Sequence, residues 1–218
     1  DTAQFGSVQF SGDQIDISQP DDVTIAGINA QSKLNITSTG GNIESIAESS
    51  ISAGLATTLT VDRSDGNIDL QASNNVFGEL SIVGRDVFVS EADDIIIGNI
   101  DVDSLLLSSS TGSIGNTNRS TIGVLLLADL SADGDIVIGD GAADLVNFGR
   151  LSLNALNASV IESSGTILSS LGIAQNLELF SANSIADDEN AVLNVVGNAK
   201  FVVSGQPQSI FLDGANNR

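Results

Sequence analysis

The stretch "LTVDRSDGNIDL", Leu59 to Leu70, recurs in outline at "LNITSTGGNIES" (34–45) and "LLLSSSTGSIGN" (105–116). The shared skeleton is two apolar residues with one residue between them, four mostly small or polar residues, then Gly-x-Ile. Its members are Leu34, Ile36, Gly41 and Ile43; Leu59, Val61, Gly66 and Ile68; and Leu105, Leu107, Gly112 and Ile114. Leu125, Leu127, Gly134 and Ile136 read as a looser fourth copy. In the first three, the second apolar residue precedes the glycine by five positions. Alternation sends every second side chain to one face of a strand, and glycine admits a corner too tight for a residue with a Cβ.

Further alternating pairs occur at Val23/Ile25, Leu80/Ile82, Leu151/Leu153, Leu177/Leu179 and Leu193/Val195. The starts from Leu34 to Leu177 cover 143 residues in six intervals, about 24 residues per repeat. The glycines keep step: 25 residues separate Gly41 from Gly66, 46 separate Gly66 from Gly112 (read as two repeats), and 22 separate Gly112 from Gly134. A propeller blade needs about 40–50 residues, and a leucine-rich repeat shows a helical segment and an Asn/Cys motif. Neither pattern is present. The sequence therefore predicts an all-β parallel β-helix, with three short faces per coil and eight or nine coils stacked at about 4.8 Å. The alternative is an antiparallel β-sandwich, which also alternates in short strands. One solenoid domain is expected over 1–218, with a less regular first coil or junction at 1–30. Residues 196–218 read as the last coil and a cut or junction, which makes the chain a segment of something longer.

Composition narrows the chemistry. The 218 residues include no Cys, Met, Trp, Tyr or His, so thiolate metal sites, disulfides and histidine acid–base catalysis are excluded. Asp and Glu number 28 against 7 Lys and Arg, a net charge of −21. The cations stand singly (Lys33, Arg63, Arg85, Arg119, Arg150, Lys200, Arg218), which opposes binding to nucleic acid or anionic lipid. The acidity reads as a solubility device for a β-rich surface. No apolar run approaches the length of a membrane span, so membrane insertion is not expected.

Candidate sites are few. Glycan hydrolysis would need two convergent carboxylates, for which Asp21/Asp22, Asp93/Asp94, Asp133/Asp135 and Asp187/Asp188/Glu189 are available. Neighbours along a strand point to opposite faces. The eight Phe, among them Phe88 and Phe180 in strand-like runs, read as core residues rather than sugar platforms. "DGDIVIGDGAADL" (133–145) resembles Gly/Asp calcium turns, which makes Asp133, Asp135, Asp140 and Asp144 candidate Ca²⁺ ligands; no other cofactor is expected. "STGG" and "GDGA" lack the Gly-Lys-Ser/Thr of a phosphate loop.

On "LNITSTGGNI", "LTVDRSDGNI", "LLLSSSTGSI" and "LLLADLSADGDI", the chain over about residues 30–200 resembles the haemagglutinin-type repeats of large bacterial surface adhesins, the filamentous-haemagglutinin-like group. That resemblance implies a right-handed parallel β-helix, secreted or displayed at a bacterial cell surface, serving as an adhesin shaft. The period here is less regular than in that family's shafts, and no secretion-signal domain is seen, which leaves the export route open. The expectation is a non-enzymatic extracellular shaft segment or self-assembling fibre subunit. Its partners would be further copies, a longer parent chain, or a host or matrix glycan or protein. The alternative is a glycan-binding or polysaccharide-processing β-helix that uses surface carboxylates.

Overall fold

The structure is a computed structural model and describes residues 5–72, 74–204 and 208–214. Pro207 and residues 215–218 of the expected terminal coil lie outside the described residues. Twenty strands, from Val8–Gln19 to Ile210–Phe211, join one sheet, and no helix occurs among the described residues. The strands run parallel and wind into a β-solenoid of about nine turns.

The alternation explains the core. Inward positions stack on their counterparts one turn away, so the interior consists of columns of Ile, Leu and Val. One column runs Ile17, Ile36, Leu59, Ile82, Ile100, Ile122, Val146. A second runs Val23, Ile43, Ile68, Val87, Leu105, Ala128, Leu151, Leu168. A third runs Ile95, Ile114, Ile136, Ala158, Leu177, Ala199. All but the terminal Ala199 are buried. Each turn supplies the backbone partners and apolar cover of the next, so stability accrues between nearest neighbours.

Three expectations need correction. Ile36 to Val146 is 110 residues in five steps, so a turn takes 22 residues rather than 24. The Gly-x-Ile motif also does not mark one face. Ile43 and Ile68 lie in the second column, whereas Ile114 and Ile136 lie in the third. The 46 residues from Gly66 to Gly112 are therefore two turns plus one face. The motif specifies a corner between strands, wherever on the rod that corner falls. The Leu125/Leu127 pair, finally, does not point inward. Leu125 and Leu126 are 63% and 55% exposed on a bulge between Val124 and Leu127, and Ala128 and Leu130 take the inward places.

A longer period underlies the slippage. "FGSVQFSGDQIDISQ" (5–19), "FGELSIVGRDVFVSE" (77–91) and "FGRLSLNALNASVIE" (148–162) start 72 and 71 residues apart and occupy equivalent structure. Val8 pairs with Ile25, Leu80 with Ile97, and Leu151 with Leu168. A register shift follows at once in all three: Val8/Gln9, Leu80/Ile82, Leu151/Ser152. There a straight strand is covered by a segment that bends round a corner, which is what an irregular ladder position permits. Following the columns from 14–19 through 33–38 and 56–61 leads to 79–83, the counterpart of 7–11. Each copy thus makes three turns and one further face, and its successor begins one face further round the rod.

Candidate functional site

The variable residue of Gly-x-Ile has a structural task. Asn42 N donates to Asp22 Oδ1 at 2.8 Å, and Asn67 N to Asn42 Oδ1 at 2.9 Å. A longer ladder climbs a second corner. Ser113 N donates to Asp94 Oδ1 (2.8 Å), Asp135 N to Ser113 Oγ (3.1 Å), and Asn157 N and Nδ2 to Asp135 Oδ1 (3.1 and 2.9 Å). Asn176 then donates to Asn157 Oδ1, and Asn198 to Asn176 Oδ1, again through both nitrogens. Each rung directly precedes an inward residue, so its side chain stands at the bend and accepts the N–H that the corner leaves unmatched. Close approach at these corners requires glycine: a Cβ on Gly41 or Gly112 would strike the main chain of Asp22 or Asp94.

The second device is buried. Phe77 N donates to Glu91 Oε1, Phe148 N to Glu162 Oε1 (2.9 Å), and Phe5 N to Gln19 Oε1 (3.0 Å), each across fourteen residues. Gln19, Glu91 and Glu162 are almost wholly buried. Each stands where the following turn covers the Phe strand with a corner instead of a strand, so a side-chain oxygen replaces the absent backbone acceptor. Burial is the main cause that pushes the Glu91 carboxyl up to about 8; the Phe77 N–H opposes it, and Asp93 and Asp94 add to it. Its Oε2 is buried without a hydrogen-bond partner. Burial also raises Glu162, against opposing bonds from the Thr166 hydroxyl, Phe148 N–H and Ser164 hydroxyl. Sequence reasoning missed these three residues. The signal was there: Phe-Gly occurs three times, each followed fourteen residues on from the Phe by Gln or Glu.

The acidic candidates do not converge. Asp135 is a ladder rung, and Asp133 and Asp140 are exposed. Asp144 accepts from Asn116 Nδ2 (2.8 Å), Ser120 N (3.0 Å) and Gly141 N (2.9 Å). Burial alone would raise its pKa, but these bonds outweigh it and hold the carboxyl below the usual value. Among the described residues no group of three or more carboxylates is placed to hold a metal ion. Of the other pairs, Asp22 and Asp94 cap corner N–H groups, and Asp188 Oδ2 accepts from Ser169 Oγ at 2.6 Å. Phe88 and Phe180 face outward instead of into the core, Phe180 beneath the Lys200 ammonium at 4.8 Å; Phe77 and Phe148 are the core phenylalanines. A shallow groove near the first turn is lined by Gln9, Phe10, Asn29, Glu48 and Ser52.

No protein-family model, curated protein or solved structure matches the chain.

Proposed function

We propose that the chain is a non-enzymatic structural β-solenoid, a shaft segment of adhesin type that spans distance outside a bacterial cell. The observation that supports this most is the continuity of the stack across the seams between copies. Strand 56–60 carries 79–83, and 128–131 carries 151–154, in register and parallel like the turns inside a copy. A repeat with seams of that kind can be added indefinitely without changing cross-section, and a stack in which every turn braces the next resists bending. The charge of −21 keeps such rods laterally apart in dilute salt. Small-angle scattering and negative-stain microscopy of the purified chain test the reading. The expected particle is a rod about 45 Å long, from about nine turns at the interstrand spacing; a compact particle would sink it. Antibody labelling of intact source cells tests the location, with surface label expected.

A second reading, contact with a glycan, rests on the groove at the first turn, which is lined by the exposed Phe10 together with Gln9, Asn29 and Glu48. Sugars are bound by such pairings of an apolar ring with planar polar groups. A glycan array on the native chain and on E48Q tests it: binding lost in the variant supports this reading, and an empty array removes it.

A further inference from the structure

The two internal seams share one construction, so their differences mark what the seam does not need in order to form. Thr57 pairs with Leu80 at the first and Ala128 with Leu151 at the second, which puts each residue of the second 71 places after its counterpart. Glycine is common to both, since a Cβ on Gly78 or Gly149 would collide with the carbonyl of Leu55 or Leu125. The surroundings differ. Leu125, Leu126 and Leu127 stand where the first seam has Gly54, Leu55 and Ala56, and Arg150 stands where it has Glu79. At the first seam Glu79 lies over Gly98, where a Cβ would meet its Oε1. At the second a groove of about 390 Å³ crosses three successive turns, lined by the three leucines, Gly149, Arg150 and Ser169. Arg63 and Arg85 donate to Asp103 and Asp86 at 2.9 and 3.1 Å. Arg150 is paired less closely: its Nη1 stands 3.9 Å from Asp188 Oδ2, an oxygen that already accepts from Ser169 Oγ at 2.6 Å. No hydrogen bond holds its guanidinium among the described residues, and the side chain is 58% exposed.

We propose that the groove at the second seam binds a free fatty acid, a single alkyl chain ending in a carboxylate. This goes beyond the shaft reading and does not depend on it. The lining chooses the ligand. Three leucines and a glycine offer an aliphatic trough with no aromatic ring, which suits a flexible alkyl chain better than a sugar or a planar heterocycle. Three turns span two interstrand spacings, about 10 Å, the reach of a chain of medium length. Arg150 and Ser169 approach the same Asp188 oxygen, so the guanidinium stands at the Ser169 end of the trough. The donors that Asp188 leaves free there match a carboxylate, and they form the one point of positive charge in the lining. Other occupants fit less well. The groove crosses strands that are paired on both sides, so an extended peptide finds no ladder to join. A net charge of −21 opposes both a second copy and an anionic lipid surface, whereas a single carboxylate needs only a single cation.

Calorimetric titration of the purified chain with decanoate tests this, below the concentration at which decanoate forms micelles. Physiological salt screens the acidic surface beyond about 8 Å. One saturable site is expected. Lengthening the carboxylate from hexanoate to decanoate should tighten binding by up to about fourfold per methylene. Decanol should bind about tenfold more weakly than decanoate, and R150Q should weaken decanoate by a similar factor, the worth of a charge-assisted hydrogen bond. L126S should weaken it as well, while L55S, at the counterpart position that is 70% exposed, should leave it unchanged. All three substitutions fall at exposed side chains, so the melting temperatures without ligand should stay at the native value, which separates lost binding from lost folding. The absence of saturable heat overturns the proposal. So does an affinity indifferent to chain length or to R150Q, or one that L55S lowers as much as L126S. Self-association that L126S abolishes, or capture of phosphatidylglycerol vesicles without decanoate binding, would also overturn it, in favour of a second copy or a lipid surface.

Discussion

The main-chain N–H of Phe148 donates to Oε1 of Glu162 at 2.9 Å from fourteen residues away, inside the core. The bond recurs between Phe77 and Glu91 and between Phe5 and Gln19. It closes the place where a three-faced turn loses a face to a corner. Removing the acceptor as Glu162→Ala leaves a buried N–H without a partner and should cost about 2–3 kcal/mol in urea unfolding. Phe148→Ala opens a cavity and should cost about 3–5 kcal/mol. A loss under about 0.5 kcal/mol in both would mean that the corner does not depend on this contact.

The acidity of Glu91 makes stability pH-dependent with a definite sign. Its carboxyl titrates near 8 in the fold against 4.5 for the ordinary group. Between those values the folded chain keeps a proton that the unfolded chain has shed, so stability falls as pH rises from about 4.5 to about 8 and levels off above. Glu162 contributes in the same direction. Glu91→Gln, the residue type of the first copy, should abolish the Glu91 part. The difference in melting temperature between variant and native protein should therefore grow from pH 5 to pH 8, and a constant difference would refute the assignment. Titration of the other carboxylates affects both proteins alike and cancels in the comparison.

Glycine at the seam is a packing requirement. Gly149→Ala drives a methyl into the Leu125 carbonyl, so the seam must open, and a loss of at least about 2 kcal/mol is expected. Gly115→Ala meets its nearest atom, a carbonyl oxygen, at 3.6 Å and should be nearly neutral. Chemical denaturation of the two variants side by side checks this; equal losses would contradict it.

The corner ladder should behave as a hydrogen-bonded column. Asn157 donates to Asp135 and accepts two bonds from Asn176, so Asn157→Ala should cost about 1–2 kcal/mol. Asn157→Asp stacks a carboxylate on the carboxylate of Asp135 and should be worse at pH 7 than at pH 4, where protonation relieves the repulsion. Thermal melts at the two pH values decide it.

Calcium should find no stoichiometric site at Asp133–Asp144, because Asp135 and Asp144 already serve main-chain and side-chain donors. Calorimetric titration is expected to show only the diffuse response of an acidic protein. A saturable heat that D140N removes would reverse this conclusion.

Much of the architecture was legible because alternation is a local rule. Leu34, Ile36, Leu59, Val61, Leu105 and Leu107 point inward as their spacing required, and Gly41 and Gly112 turn the corners. Leu125 and Leu127 misled because three consecutive leucines carry two possible phases, and only the strand below decided that Ala128 and Leu130 are the inward ones. Asp135 and Asp144 looked like ligands because a carboxylate in a Gly-rich loop reads the same whether it meets a cation or an N–H.

By itself the sequence determined that the chain is all-β, that it coils in short strands around an apolar interior, and that cysteine and histidine chemistry is absent. Those properties follow from residue type and a period of two. Only the tertiary structure decided which face each strand occupies, since a face is defined by what lies one turn away, about 22 residues off. The same holds for the three buried Phe–Gln/Glu bonds. A lone glutamate in an alternating strand carries no sign of its burial until the turn that lacks a face is laid against it.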